Sequence, residues 1–332
     1  MKKVNFVLIL FTFLYGCSTD FDTIAPWKET MVVYGLLNPN DSIQYIRISK
    51  AFLGEGNALV MAQQGDSIYY GDVLDVKMER IQNNSVMESH DLVRLDTVPK
   101  ETNGTFSAPY QEVYAYTFSL HPSTSNDGSI YKLTITNRVT GNVVTASTKL
   151  IENFQIISPN STTLYKFNSP SGLTWKLTSS KSGRIYGVVQ KINYVEINTV
   201  TNDTVTKSID WYLTDKVSIS EVESEIRFPF AGIDLYRLLG GNISVDPDKT
   251  RHLAVNPIDV YISAGTEELY TYMQVTEQNA GIVQDKPLYT NIVNGVGLFT
   301  CRNTRKISVH LHPDSYAALD TSAYTRNLNF TH

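Results

Sequence analysis

Residues 31–37 read Met31-Val32-Val33-Tyr34-Gly35-Leu36-Leu37, an apolar run that Asn38-Pro39-Asn40-Asp41 stops with turn chemistry. After the turn, Ile43, Tyr45, Ile46 and Ile48 recur among Gln44, Arg47 and Ser49. That near-alternation puts one face of a strand on a core and the other toward solvent. The pair reads as a hairpin, and a body that opens in this way predicts a sheet protein.

The same rhythm continues at 73–81, 113–120, 130–137 and 143–148, the last two separated by Arg138-Val139-Thr140-Gly141-Asn142. Short runs with turns between them predict an antiparallel architecture, and residues 31–150 have the size and rhythm of an immunoglobulin-like sandwich. A crossing at 151–170 leads to a second β-rich domain over 151–332, with strands expected at 173–178, 184–200, 203–213 and 258–264. Thr201-Asn202-Asp203-Thr204 reads as the turn joining two long antiparallel strands. Helical signals are few: short turns at 220–225 and 233–239, and one amphipathic helix near 266–278. For that helix Thr266 stands as N-cap, Glu267 and Glu268 sit in the first turn, and Leu269, Tyr272 and Met273 fall on one face. The expected fold is therefore mainly β: two antiparallel β-rich domains, the first an immunoglobulin-like sandwich, with one short amphipathic helix near the C-terminus.

Upstream, residues 1–16 carry Lys2-Lys3 followed by an apolar stretch from Val4 to Leu14. A bilayer span needs about 20 apolar residues, so this stretch reads as a signal-peptide core. Leu14-Tyr15-Gly16-Cys17 resembles a bacterial lipobox, with Tyr15 bulkier than the usual occupant. Cleavage before Cys17 and lipidation of its thiol, palmitate included, would leave residues 17–30 as a tether. The anchor's strength follows from roughly 0.8 kcal/mol per buried methylene. Ser18, where Asp would signal inner-membrane retention, points by resemblance to the outer membrane, and the thin, mildly acidic stretch Ser18-Thr19-Asp20-Phe21-Asp22 to display on the cell surface.

The net charge is −5, and it becomes −7 once the two positive charges of Lys2 and Lys3 leave with the leader. Nucleic-acid binding rests on a basic surplus that neutralises phosphate, so nucleic acid is not an expected partner. There are 2 cysteines. With Cys17 lipidated, Cys301 has no partner in the chain and no disulfide is expected.

Residues able to carry chemistry are scattered. His310-Leu311-His312 on a strand would put both imidazoles on one face, with His121 and Asp314 as further ligands, but two histidines beside a Pro313-Asp314 turn are more often plain surface residues. Asp246-Pro247-Asp248 resembles a fragment of a calcium loop without its glycine and glutamate, and local hydrogen bonding explains it equally. Cys301 reads as a packing residue. Asn291-Ile292-Val293-Asn294-Gly295-Val296-Gly297-Leu298-Phe299 reads as a turn entering a strand, with Gly295 free to take positive φ. Tyr69-Tyr70, Tyr110 with Tyr114 and Tyr116, Trp211-Tyr212 and Trp175 offer either contact area or core. No catalytic constellation stands out, no enzyme activity is predicted, and neither cofactor nor metal is expected.

The lipobox, the Met31–Leu37 strand followed by Ile46-Arg47-Ile48-Ser49-Lys50, and Leu269-Tyr270-Thr271-Tyr272-Met273 leading to the Asn291–Phe299 stretch resemble a Bacteroidetes outer-membrane lipoprotein family of unknown function, the domain-of-unknown-function 4249 type. Cys301-Arg302 departs from the small residues expected after Phe299. The resemblance implies a periplasm-facing or surface β-rich lipoprotein, commonly encoded near TonB-dependent outer-membrane receptors, and no catalytic residues. Asp-Ser/Thr-apolar triplets resemble the O-glycosylation acceptors of the same bacteria, which makes Thr23, Ser42, Ser67, Thr97 and Thr204 candidates; such pairs also simply start turns. The expected function is a membrane-anchored accessory lipoprotein that binds a partner or ligand at the outer membrane, associated with a TonB-dependent transport system. The alternatives are a carbohydrate-active hydrolase with carboxylates assembled by the fold, and a structural or adhesion surface protein.

Overall fold

The computed structural model describes residues 30–51, 58–99, 110–121, 129–217, 224–277 and 288–331. The leader, Cys17, Thr23 and most of the expected turn at 220–225 lie outside the described residues. In chain order the first half holds β1 (Met31–Leu37), β2 (Gln44–Lys50), α1 (Ala58–Met61), α2 (Gly65–Ile68), β3 (Leu74–Gln82), β4 (Ser85–Asp91), β5 (Val93–Leu95), β6 (Val113–Tyr116), β7 (Ile130–Asn137) and β8 (Val143–Lys149). The second half holds β9 (Ile156–Ser158), β10 (Leu164–Tyr165), β11 (Leu173–Thr178), β12 (Ile185–Asn198), β13 (Thr204–Tyr212), β14 (Lys216–Val217), β15 (Glu225–Phe230), α3 (Ile233–Asn242), β16 (Lys249–Gly265), α4 (Glu267–Glu277), β17 (Ile292–Val293), β18 (Gly295–Leu311) and α5 (Pro313–Thr321). The protein is mainly β, with about half of it in strands.

One ten-stranded sheet runs β13-β12-β16-β18-β1-β2-β6-β5, with β10 and β14 attached beside β18 and β12. A five-stranded sheet, β17-β8-β7-β3-β4, and a three-stranded sheet, β15-β11-β9, complete the strands among the described residues. Buried side chains alternate with more exposed ones along β1, β7 and β8, so these strands turn one apolar face inward. Val33, Ile46, Val76, Leu133 and Val144 of the first half share one continuous core with Trp175, Tyr186, Phe228 and Ile258 of the second. The first half has β-sandwich character: β1, β2 and β6 share a core with β8, β7 and β3 of the five-stranded sheet, whose strand β17 comes from the second half.

The expected boundary at 150/151 falls between β8 and β9, and the ten-stranded sheet runs through it. Residues 295–301 of β18 pair in parallel with β1, Met31 opposite Gly295 and Leu37 opposite Cys301. Residues 302–309 of the same strand pair antiparallel with β16. Ile292 and Val293 extend the five-stranded sheet by pairing with β8. The sheets are otherwise antiparallel, save where β10 also joins β18 in parallel.

The entry into β18 differs from its sequence expectation. Positive φ falls on Asn294 (61°) and Gly297 (121°), and Gly295 does not share it. A Cβ on Gly297 would lie 2.0 Å from the Val33 carbonyl oxygen, so only glycine lets β18 approach β1 there. Asn291 holds the same stretch with its side chain, donating to the Phe299 carbonyl (2.7 Å) and accepting from the Phe299 amide (2.9 Å).

The hairpin expected at 201–204 joins β12 to β13, with Asn202 at φ 62°. A second, Asn83-Asn84 with both residues at positive φ, joins β3 to the unexpected strand β4. Helix α4 lies where expected, and the Thr266 carbonyl accepts its first bond from the Tyr270 amide (3.1 Å), while its hydroxyl pairs with Thr300 (2.6 Å). The turn expected at 233–239 is the full helix α3, and α5 has no counterpart among the expected elements. In α5, Pro313 occupies the first turn and the His312 side chain accepts from the Asp314 amide. Among the described residues no helix is long and apolar enough to cross a membrane.

Where β12 and β16 near their far ends, Glu196 is held by Lys207, Lys249 and Arg251 at 2.8–3.0 Å. Burial alone would raise its carboxyl, but hydrogen bonds from those three cations outweigh it and hold it down at about 2. A carboxyl depressed in the folded state stabilises the protein above its unfolded value, about 4.3, and that contribution drains away as pH falls toward 2. Urea midpoints measured from pH 5 to pH 2 should therefore fall for the wild type. Glu196→Gln, less stable at pH 7, should lose less over that window; parallel losses would show that other carboxylates set the acid limit.

Candidate functional site: an aromatic groove

Where β13 ends, alternation places Trp211 on the core side, opposite Gln190 of β12, and Tyr212 outward, 71% exposed. Strand β15 reads Phe228-Pro229-Phe230 and lies antiparallel to β11, with Trp175 opposite Phe228 and Leu173 opposite Phe230. Helix α3 follows at once, and Gly232 lets it start tightly, since a Cβ there would lie 2.0 Å from the Phe167 carbonyl oxygen. These elements converge on Phe230. Its ring centroid lies 5.1 Å from Trp175, 5.3 Å from Trp211 in an edge-on arrangement, and 6.0 Å from Phe167. Tyr165 meets Trp175 edge-on at 4.9 Å. Such tilted pairs are the favoured aromatic geometry, so the wall of the site is rigid.

Two concavities open on either side of Phe230. One, about 270 Å³, is bounded by Trp211, Tyr212, Thr214, Phe230 and Asp234. The other, about 650 Å³, is bounded by Asn168, Ser169, Ser171, Thr174, Phe230 and Ile233. Pro229 and Phe230 line both, which makes them lobes of one groove. The larger lobe has the volume of an ordinary small-molecule site. Asp234 is the carboxylate among the lining residues, and Arg237 donates to it at 2.7 Å. Hydrolysis by paired carboxylates needs a second one about 5–9.5 Å away, and among the described residues the lining supplies none. Behind the wall, fully buried Gln190 accepts from Trp175 Nε1 (3.1 Å), and its Nε2 has no hydrogen-bond partner among the described residues.

The other sequence candidates lie apart from this groove. Tyr69, Tyr70, Tyr114, Tyr116 and Trp175 are buried, and Tyr110 packs on Tyr69 at 5.6 Å between ring centroids. The histidines do not converge: His310 sits on β18, His312 caps α5, and His121 Nε2 lies 3.6 Å from Glu88. Among the described residues no three His, Cys, Asp or Glu side chains are placed to hold a metal ion. Asp246 and Asp248 form a local turn, the Asp248 amide donating to Asp246 at 3.0 Å. Ser42, Thr97 and Thr204 are exposed, while Ser67 is half-buried in α2 with its hydroxyl toward Gln64. Phe230 and Asp234 were not legible as site residues in the sequence, although the close-set pair in Phe228-Pro229-Phe230 carried a signal.

Cys301 is buried against the Ile151 amide, 3.5 Å from its sulfur, and burial pushes its thiol up to about 12. A thiol so held is inert. Native protein with Cys17→Ala is expected to resist iodoacetamide at pH 8 and to take up one equivalent once unfolded in urea, read by intact-mass spectrometry; fast native labelling would contradict the burial.

No family model and no curated protein matches the chain. Among solved structures, the crystal structure of CBD12 from CALX1.2 is similar at 9% identity, covering 85% of this chain and 99% of that one with a TM-score of 0.17. A score that low carries no argument.

Proposed function

We propose that this chain is an exported lipoprotein, anchored by lipid on Cys17, that serves as a non-enzymatic accessory binding protein at the outer membrane beside a TonB-dependent receptor, with the groove around Phe230 as its binding site. The observation that carries the binding reading is the groove itself: a rigid aromatic wall, exposed Tyr212, and a lining whose carboxylate, Asp234, is already bonded to Arg237. The anchor and the receptor rest on the lipobox and on the resemblance to the 4249-type lipoproteins. Exposed Ser42, Thr97 and Thr204 are the acceptors we propose for O-glycosylation; half-buried Ser67 fits that role less well.

The test is purification from native membranes in mild detergent, with mass spectrometry of what comes along. Wild-type protein is expected in the membrane fraction carrying lipid on Cys17, with a TonB-dependent receptor beside it, and Cys17→Ala in the soluble fraction without the receptor. An unlipidated wild-type chain would remove the anchor from the proposal, and a lipidated chain that comes out alone would remove the receptor.

A further inference from the structure

From the chemistry of the groove we infer that its occupant is a neutral oligosaccharide, stacked on Tyr212 and Trp211 and hydrogen-bonded along the lobe between Ser169 and Thr174. The inference rests on the groove being the binding site.

Three observations select this class. First, the lining joins aromatic faces to neutral hydroxyl and amide groups from Asn168, Ser169, Ser171, Thr174 and Thr214. A sugar ring presents the matching pair, an apolar C–H face and a rim of hydroxyls, and Tyr and Trp serve as rigid platforms with a polar handle. Second, among the described residues the lining holds no Lys, Arg or His. A phosphate or an acidic chain would face the Asp234 carboxylate, and the Arg237 guanidinium beside it is already bonded to Asp234 and to the Tyr324 hydroxyl, whereas a sugar hydroxyl can donate to the Asp234 oxygen that remains.

Third, the backbone at the groove is poorly suited to an added strand. Among the described residues β15 pairs with β11 alone, so its other edge is open, and Pro229 stands in the strand without an N–H to offer. A peptide that binds by strand addition takes most of its affinity from such donors. The two lobes share Pro229 and Phe230 in their linings, and two adjoining concavities suit a chain of linked rings better than one compact ligand.

The experiment is isothermal titration of the purified full-length lipoprotein in detergent with cellohexaose, laminarihexaose, maltohexaose, mannohexaose and xylohexaose, run in parallel on Tyr212→Ala and Ser169→Ala. Tyr212 is exposed, so its truncation leaves the core intact; matching circular dichroism and melting curves verify this. Saturable binding of at least one probe, weakened about tenfold by Tyr212→Ala and less by Ser169→Ala, supports the inference. Binding that Tyr212→Ala leaves unchanged places the sugar elsewhere and overturns it, as does the absence of binding to every probe. Receptor co-purification on Tyr212→Ala membranes separates the two proposals. Loss of the receptor without sugar binding keeps the groove as a binding site and makes its occupant a protein. Retention of the receptor without sugar binding removes the groove from both.

Discussion

Replacing Arg251 with alanine is expected to cost about 3–5 kcal/mol of stability, the range for removing one partner of a buried ion pair. Arg251 is only 1% exposed. Its guanidinium donates to Glu196 at 3.0 Å, to the Leu328 carbonyl at 2.7 Å and to the Ser244 carbonyl at 3.2 Å. Its backbone adds two more ties to the C-terminal segment, accepting from the Thr331 amide and donating to the Asn329 carbonyl. Alanine keeps those backbone bonds but strands two carbonyls and part of the Glu196 charge. Arg251→Lys restores the charge without the planar fork and should recover only part of the loss. Urea unfolding at pH 7 gives the magnitude, and limited proteolysis should show residues 322–331 cleaved first in the alanine variant; a loss below about 1 kcal/mol would mean the network carries little.

Gly297→Ala is expected to cost about 3 kcal/mol or more, because strain and collision add. A φ of 121° is open to glycine and costly for any residue with a Cβ. The new methyl would lie 2.0 Å from the Val33 carbonyl oxygen, the backbone of the paired strand, which has no flexible end to swing aside. Gly295→Ala is the control: its φ is ordinary, and its closest atom, the Met31 carbonyl oxygen, is 2.9 Å away. A melting-temperature drop several degrees larger for Gly297→Ala than for Gly295→Ala would confirm that the β1–β18 approach turns on residue 297; equal drops would refute it.

The strands legible in the sequence are those whose face alternates, β7, β11 and β12, which stand within a few residues of their expected bounds, while the largely exposed β13 was legible through the Thr201–Thr204 turn that joins it to β12. Strand β4 escaped because it is largely exposed and shows no apolar period. Helix α5 escaped because Pro313-Asp314 signals a turn and the first turn of a helix equally well. The parallel pairing of β1 with β18 left no local mark, since pairing depends on which apolar edge meets which and neither run names its partner. For the same reason Trp211 and Tyr212 stood out as aromatic while their companion Phe230 did not: the groove exists only once β13, β15 and α3 meet.

A strand that serves both halves also dictates an order of events. Residues 31–37 emerge early from any synthesis or export machinery, yet the edge they pair with arrives only with residues 295–301. Until then β1 has only β2 beside it and a row of unpaired amides and carbonyls along its other side, the kind of edge that recruits foreign strands. Long-range pairing of this kind slows folding. A shortened version ending before residue 295 would lack the strand that β1 pairs with in the largest sheet and keep that sticky edge for good.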